Sequence, residues 1–503
     1  MIIAIIIGYF LLLLAVSRLA VAKGDNNSFF RGGRQSPWYM VAFGMVGASI
    51  SGVTFVSVPG MVIHSDMSYL QTCMGFILGY FVVAFVLLPI YYRMNLTSIY
   101  TVLRGISDEA YKTGAAIFIF SKLLGSAAKF FVPCYIISAA LGTNFYVTTV
   151  GLFLLIWLYT RRGGIKTLVW TDTVQTLCML TALCLIMYSV YGELHFSGVG
   201  DCLAAVSESS YSRIFEFGDW NSPHNFFKCF ISGIFIVIVM TGLDQDMMQK
   251  NLTCKTLRDA QKDMCTYGFA FVPVNALFLI LGIMLTMLYA KEGIALPERA
   301  DELMVAPLLF PQWGDAQQYL LALFIIGIMS TSFSTVDSSL TALTTSFCVD
   351  ILKPSPVSSQ KGSVMERGTE VRKRVHIGMT IALILCTMAF GLFSTSSLID
   401  TIYRLVSYTY GPLLGLFAFA LTQKPLNTPL KSPRFSSGMT HKGETPSLWE
   451  GKGWVPLVCL LSPLICFVLD IAVPRFTGYH FGYELLLING AITYVSLKLV
   501  IRN

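Results

Sequence analysis

The sequence reads Gly44-Met45-Val46-Gly47-Ala48-Ser49-Ile50-Ser51-Gly52-Val53-Thr54 near the centre of an apolar segment, 38–60, that is long enough to cross a membrane. Three glycines and two serines within nine residues make a weak helix. In hydrocarbon, backbone groups freed by a helix break are tolerated only where they line a cavity or bind a ligand. The stretch therefore predicts one of two structures: a broken helix that forms a transporter binding site, or close helix packing through small residues.

The rest of the chain has the composition of a polytopic membrane protein. Of its 503 residues, 55% are hydrophobic and 13% are charged, which is about half the charged share of a soluble protein, and the mean hydropathy is +0.67. A soluble protein of this size needs far more charge to cover its surface. We expect thirteen membrane spans, at 2–17, 38–60, 70–92, 114–142, 145–160, 167–191, 229–249, 266–290, 318–348, 375–396, 398–421, 455–473 and 482–497.

The positions of the basic residues orient these spans. With the N-terminus outside, the connecting segments on the cytoplasmic side contain 27 of the 35 Lys and Arg residues, and the outer segments contain five. Cytoplasmic loops of membrane proteins carry this excess, so the net charge of +7 reflects topology and not a nucleic-acid surface. We predict a multi-pass protein in the lipid bilayer of the cell (inner) membrane, with its C-terminus in the cytoplasm.

The sequence contains no motif of an enzyme or of an ATP-driven pump. It has no GxxxxGK[ST] phosphate loop and no HExxH motif, its His and Cys residues are scattered, and no connecting segment is long enough for a soluble catalytic domain. The chain is therefore expected to be a transporter, a channel or a scaffold, without enzymatic activity.

The ninth predicted span contains a stripe of hydroxyl groups beside an acidic residue, Asp337. Hydroxyl and carbonyl oxygens are the hard ligands that a small cation such as Na⁺ prefers. The stripe predicts either a cation site or hydroxyls that bond to the preceding helical turn and to neighbouring helices. The positions that share one helical face are Gly327, Ser330, Thr331, Ser334 and Ser338.

Ionisable residues also lie inside two other predicted spans, where an unpaired charge is costly. Asp172 lies about two turns inside the sixth span, where it either helps to bind a cation or forms a cap or a buried ion pair. Lys122 and Lys129 share one face of the fourth span. Lys129, near mid-span, either pairs with a buried acid or contacts an anionic substrate.

Together these segments resemble the sodium:solute symporter family. The resemblance implies an all-α membrane fold of the leucine-transporter type, with about thirteen transmembrane helices and an inverted repeat of five plus five helices. The matching pieces are the Gly47–Gly52 tract, Gly163-Gly164-Ile165 with Trp170-Thr171-Asp172 and Gln175, Gly242-Leu243-Asp244-Gln245-Asp246 with Gln249-Lys250-Asn251-Leu252, the hydroxyl stripe, and Gly411-Pro412-Leu413-Leu414-Gly415. The implied units are an N-terminal span with its inner loop at 1–37, repeats at 38–191 and 229–421, an outer loop at 192–228, an inner linker at 422–454 and two C-terminal spans at 455–503.

The resemblance also implies a sodium site. The main Na⁺ site of the family would consist here of the carbonyl oxygens of Gly47, Ile50 and Gly327 together with the hydroxyls of Ser330 and Thr331.

Two further sites are implied in the same way. Some members of the family have a second sodium site, which Asp172 and Ser334 match, although Phe333 replaces one hydroxyl. In sialic-acid-transporting members, a basic residue and neighbouring hydroxyls hold the substrate carboxylate. The corresponding residues here are Lys129, Ser49, Ser51 and Thr54.

The function that the resemblance implies is Na⁺-coupled symport. We expect import of a small organic solute, such as the carboxylate sialic acid, by alternating access, with Na⁺ as the coupling ion, no other cofactor and a monomeric chain. Lysine in place of arginine loses the two-pronged contact with a carboxylate. A neutral sugar, another solute, proton coupling through Asp172 and a channel therefore stay open as alternatives.

Overall fold

A computed structural model describes residues 2–20, 26–305, 314–352, 363–393, 398–423, 453–479 and 481–502. Within these ranges the chain forms helices and no β-strand. The α-helices are α1 (Ile2–Ala20), α2 (Asn26–Arg31), α3 (Trp38–Ser49), α4 (Gly52–Gly60), α5 (Val62–Ser65), α6 (Tyr69–Val82), α7 (Leu88–Arg93), α8 (Asp108–Leu141), α9 (Phe145–Gly163), α10 (Ile165–Glu193), α11 (Val199–Glu208), α12 (Phe226–Val237), α13 (Gln245–Asn251), α14 (Leu257–Lys291), α15 (Gly314–Ser346), α16 (Ser363–Phe393), α17 (Leu398–Thr422), α18 (Trp454–Thr477) and α19 (Leu485–Arg502).

Most of these helices have the length and composition of membrane spans. In the described part of the chain, nine helices are long and apolar enough to cross a membrane, and two further spans are bent pairs of helices. Two shorter apolar helices, Phe145–Arg161 and Leu485–Ile501, lie at the remaining two predicted spans. The all-helical, multi-pass membrane architecture is thus confirmed, whereas the count of thirteen spans and the limits of the six units stay predictions.

Of the two structures that the sequence leaves open for the second span, the broken helix is present. The helix α3 ends at Ser49, α4 begins at Gly52, and the two are bent by 62°. Ile50 between them has extended backbone angles, and the Ser51 hydroxyl accepts a hydrogen bond of 3.3 Å from the amide of Thr54. Such a cap satisfies one of the amides that the start of a helix leaves free. Small residues and a serine cap therefore produce the break.

The seventh predicted span is also broken, at a place where composition predicts no break. The helix α12 continues through a π-helical turn, Ile238–Gly242, before α13 begins at Gln245, and the two parts are bent by 70°. The Asp244 carboxylate caps α13 by accepting a hydrogen bond of 2.9 Å from the amide of Asp246. Each broken span is the first span of one of the two predicted five-helix repeats. An internal repeat requires such a correspondence between equivalent spans.

The helices α10, α14 and α15 surround the first broken span, and α1 packs behind α15. Leu13 of α1 is fully buried, and the Tyr9 ring lies 6.0 Å from the ring of Phe333 in α15. The hydroxyl of Ser17 donates a hydrogen bond of 2.8 Å to the carbonyl of Tyr159 in α9. The N-terminal helix is thus an integral part of the bundle.

Candidate ion and substrate site

The first break is packed tightly between α10 and α15. A methyl group on Gly47 would lie 2.9 Å from Cβ and 3.0 Å from Cα of Thr176 in α10. A methyl group on Gly52 would overlap the hydroxyl oxygen of Ser332 in α15. Glycine at these two positions therefore lets the backbone of the break approach the two helices that carry the predicted cation ligands.

Two buried carbonyl oxygens at this break have no hydrogen-bond partner. Among the residues that the structure describes, none donates to the carbonyl of Gly47 or of Ile50. The amide of Ile50, in contrast, donates to the carbonyl of Val46 at 3.2 Å. Buried carbonyls without a partner are uncommon in proteins and costly at membrane depth. The break thus presents two free acceptors, which is what a cation site needs.

The second break differs in this respect. The hydroxyl of Tyr91 donates a hydrogen bond of 2.8 Å to the carbonyl of Gly242, and the hydroxyl of Tyr100 donates one of 3.0 Å to the carbonyl of Leu243. Both tyrosines are fully buried. Because the side chains of the protein satisfy the second break, the free carbonyls at the first break are not a general consequence of breaking a helix.

The predicted hydroxyl ligands lie on the helix that faces the first break. Thr335 of α15 donates a hydrogen bond of 3.4 Å to the carbonyl of Ala48. Ser330 and Thr331 are buried and donate to carbonyls one turn earlier in α15, at 2.7 and 3.1 Å. A hydroxyl that donates to a carbonyl keeps its oxygen lone pairs available for a cation. The predicted bonding to the preceding turn is therefore present and is compatible with a cation site.

Asp172 and Ser334, predicted as a second sodium site, are in direct contact. The hydroxyl of Ser334 donates a hydrogen bond of 2.7 Å to Oδ1 of Asp172. The ammonium of Lys250, in α13, forms an ion pair with Oδ2 at 2.8 Å. Asp172 and Lys250 are each 1% exposed. Of the two roles that the sequence leaves open for Asp172, the buried ion pair is present, and its partner comes from the second broken span.

The four predicted substrate residues line one cavity. Ser49, Ser51, Thr54 and Lys129 surround a volume of about 120 Å³ beside the first break. The hydroxyl of Ser49 is hydrogen-bonded to that of Tyr267 in α14, which lines the same cavity. The structure therefore brings these four residues together beside the first break.

The two lysines of the cavity wall differ in whether they form an ion pair. Lys122 lies between two carboxylates, with its Nζ 3.1 Å from Asp244 and 2.8 Å from Asp246, and the hydroxyl of Tyr410 donates to Asp244 at 2.9 Å. Lys129, two helical turns further along α8, forms no ion pair with any carboxylate in the described ranges. The sequence leaves open a buried acidic partner for Lys129. In the described part of the chain, Lys122 has such a partner and Lys129 does not.

Four charged residues of the site were not predicted as functional. Asp244, Asp246 and Lys250 lie in the segment 242–252 that carries part of the family resemblance, but their partners are more than 75 residues away in sequence. Asp337 is fully buried and accepts a hydrogen bond of 2.6 Å from the hydroxyl of Tyr159. The sequence analysis places Asp337 beside the hydroxyl stripe but gives it no role, although its depth in a predicted span is a signal for one.

A model of the sodium:solute symporter family matches residues 29–429. The chain belongs to this family. The sodium/iodide cotransporter of Homo sapiens is 24% identical over 462 residues, which cover 89% of this chain and 69% of the relative. The sodium-coupled monocarboxylate transporter 2 of Mus musculus is 24% identical over 442 residues, which cover 86% and 68%. The structure of a Na⁺-coupled sialic acid symporter matches with a TM-score of 0.76 at 18% identity, covering 99% of this chain and 97% of that one.

These matches confirm the fold and the class of protein. The transporter has the predicted leucine-transporter-type fold, and as a member of a family of sodium-coupled transporters it is not an enzyme. Its activity is Na⁺-coupled symport of a solute, with Na⁺ as the coupling ion.

Proposed function

We propose that the transporter imports a small organic solute bearing a carboxylate group, in symport with Na⁺ and by alternating access through the cavity at the first break. The observation that carries this proposal is the ammonium of Lys129, which lies in the cavity wall without an ion pair to any described carboxylate. An uncompensated charge at membrane depth is costly. A solute carboxylate would supply the missing partner, and the hydroxyls of Ser49, Ser51 and Thr54 would bond to its other groups.

The coupling ion is proposed to bind between the first break and α15. Its ligands would be the carbonyl oxygens of Gly47, Ile50 and Gly327 and the hydroxyl oxygens of Ser330 and Thr331. The free carbonyls of the break and the buried hydroxyls on the facing helix support this set, because oxygen ligands of this kind suit a hard cation.

The proximity of the two sites supplies a reason for coupling. Ser49 and Ser51 flank Ile50, whose carbonyl is a proposed sodium ligand. A cation bound there would fix the extended backbone between α3 and α4, and with it the direction of both substrate hydroxyls. The ion and the solute therefore stabilise the same conformation of the break, which is the requirement for positive coupling between two ligands.

The size of the cavity favours a solute with few atoms. Its volume of about 120 Å³ is somewhat smaller than the cavity of about 150 Å³ that admits benzene. A short monocarboxylate fits this volume better than sialic acid, a nine-carbon sugar acid. Iodide, monocarboxylate and sialic acid, which appear in the names of the matched proteins, are all anions.

The charge of the solute also determines how far it can be accumulated. One Na⁺ and one carboxylate carry no net charge, so a roughly tenfold Na⁺ gradient, worth about 1.4 kcal/mol, supports about tenfold accumulation. A neutral solute would add about 2.3 kcal/mol from a membrane potential of about 100 mV, which raises the limit to roughly 500-fold.

The test is uptake into proteoliposomes that contain the purified transporter. Pyruvate, sialic acid and glucose would be supplied with an inward Na⁺ gradient, with matched K⁺, and with a proton gradient alone. We expect Na⁺-dependent uptake of a carboxylate that is reduced by Lys129→Met. Uptake of glucose alone would show a neutral substrate, uptake with protons alone would show proton coupling, and flux that cannot run against a gradient would indicate a channel.

We further propose that the chain acts as a monomer in the cell (inner) membrane, with its N-terminus outside and its C-terminus in the cytoplasm. The excess of Lys and Arg in alternate connecting segments supports this orientation. Labelling of single introduced cysteines at the two ends with a membrane-impermeant reagent, in intact and in permeabilised cells, tests the orientation, and light scattering in detergent tests the monomer.

A further inference from the structure

Both carboxylate oxygens of Asp172 are in contact with polar groups of the protein. Its Oδ1 accepts a hydrogen bond of 2.7 Å from Ser334 and, with the Gln175 amide oriented to satisfy both of its groups, one of 3.1 Å from Gln175. Its Oδ2 lies 2.8 Å from the ammonium of Lys250. Phe333 contributes no oxygen at the position where a further hydroxyl ligand is expected.

The ammonium of Lys250 has the charge of a sodium ion and lies at the distance of a direct contact. Lys250 is 1% exposed, so its charge requires a fixed counter-charge in the interior. A Na⁺ bound to Asp172 would bring a second positive charge next to this ammonium, in surroundings where water screens little of the repulsion.

The position of Lys250 in the chain gives the ion pair a role in transport. Lys250 lies on α13, the second half of the second broken span, one helical turn after Asp246. Asp246 lines the cavity and pairs with Lys122 at 2.8 Å. The short helix α13 therefore has one contact in the cavity and another at Asp172, so a movement of α13 during the transport cycle would change both ion pairs together.

We propose that the ammonium of Lys250 is the cation of the Asp172–Ser334 site, in place of a second sodium ion, so that the transporter binds one Na⁺. This inference rests on the Na⁺-coupled transport proposed above. A lysine remains attached to the chain and is not transported. Its positive charge therefore balances the carboxylate of Asp172 but is not among the charges carried across the membrane in each cycle. With a monocarboxylate as solute, one Na⁺ per cycle makes transport electroneutral, whereas two would make it electrogenic.

The test counts sodium ions bound to the purified transporter, with radioactive Na⁺ as the probe and no solute present. We expect one bound Na⁺ in the wild type and one in Lys250→Arg, which keeps the positive charge. We expect two in Lys250→Met, because the uncompensated carboxylate of Asp172 then takes up a sodium ion. The double variant Lys250→Met/Asp172→Asn, which removes both charges, should return to one.

Each result separates this inference from the proposed function. Two sodium ions in the wild type would overturn the inference and leave Na⁺ coupling intact, and no bound sodium in the wild type would contradict the proposed function itself. A count of one in a folded Lys250→Met variant would also overturn the inference. If Lys250→Met is not recovered as a folded protein, the sodium counts of the wild type and of the charge-neutral double variant decide. The control for loss of a lysine is Lys262→Met, whose side chain is exposed on α14.

Discussion

The hydroxyl of Tyr100 donates a hydrogen bond of 3.0 Å to the carbonyl of Leu243 and so connects the second helix break to the 3₁₀ turn Ile99–Gly105. The side chain of Gln245 binds the same region, accepting a hydrogen bond from the amide of Ile99 at 2.9 Å and donating one to the carbonyl of Thr97 at 2.8 Å. The second break is therefore held by protein groups, while at the first break no described group donates to the carbonyls of Gly47 and Ile50. Both breaks bend a span, but only at the second do protein side chains donate to the freed carbonyls in the part of the chain that the structure describes.

The variant Tyr100→Phe should destabilise the transporter without weakening sodium binding. It leaves the buried carbonyl of Leu243 without a donor, at a cost of about 1–3 kcal/mol. We expect a lower Tm in detergent and an unchanged Na⁺ concentration for half-maximal binding. Tyr188→Phe, which removes a hydroxyl from a side chain that is 74% exposed on α10, should leave the Tm unaffected. A loss of Na⁺ affinity in Tyr100→Phe would mean that the second break belongs to the ion site.

The variant Lys129→Met should weaken carboxylate transport strongly. Hydrogen bonds to a charged group contribute about 1.5–3 kcal/mol, so KM for the carboxylate should rise roughly tenfold to hundredfold. Initial uptake rates over a range of solute concentrations measure the change. The matched control is Lys112→Met, also on α8, whose side chain is 56% exposed and pairs with Asp108. An unchanged KM in Lys129→Met would remove the carboxylate from the proposal.

The variant Gly47→Ala should raise the Na⁺ concentration that transport requires. The added methyl group overlaps the hydroxyl of Thr176 and lies 3.0 Å from its Cα, so α3 and α10 must separate. Overpacking of this kind costs about 1–3 kcal/mol, and part of this cost falls on the geometry of the proposed sodium ligands.

Two further variants control for this effect. Thr176→Ala in the Gly47→Ala background removes the overlapping hydroxyl and should restore part of the Na⁺ affinity. Gly151→Ala in α9, where a methyl group would meet nothing within 4 Å, should behave as the wild type. Equal Na⁺ dependence of Gly47→Ala and Gly151→Ala would argue against an ion site at the first break.

The two buried aspartates near α15 should respond differently to loss of charge. Asp172→Asn leaves the ammonium of Lys250 without its counter-charge, and breaking a buried ion pair in this way costs about 3–5 kcal/mol. Asp337 has no ion pair in the part of the chain that the structure describes, and an asparagine there can still accept the hydrogen bond from Tyr159. Thermal unfolding in one detergent should show a large fall in Tm for Asp172→Asn and a small one for Asp337→Asn. Equal losses would contradict the assigned ion pairs.

Much of the fold could be predicted because its signals are local. Apolar segments of membrane length and an excess of basic residues on one side depend only on the neighbouring sequence and on the bilayer. The weak helix at Ser49–Gly52 belongs to the same class, since small residues weaken a helix wherever they occur, although the sequence left close packing open as the alternative to a break. The break before Gln245 has no such composition, so it became visible only as a bend between α12 and α13.

The candidate site could be predicted only in part. The residues Ser49, Ser51, Thr54 and Lys129 were found by their match to a family pattern, and they do line one cavity. The pattern could not tell whether Lys129 or Lys122 has an acidic partner, because that depends on which lysine lies opposite Asp244 and Asp246. It also could not predict that Lys250 would reach Asp172.

The sequence by itself determined a multi-pass membrane protein, because hydropathy and charge distribution are properties of short segments. Its match to a family pattern implied sodium-coupled transport, and its weak helical stretch left a broken second span as one of two structures. The tertiary structure decided which charges are paired. Lys250 and Asp172 are 78 positions apart and Lys122 and Asp246 are 124 apart, and the energy of an ion pair depends on distances of a few ångströms in a medium of low dielectric constant. Packing of α8, α10 and α13 around the two breaks fixes those distances.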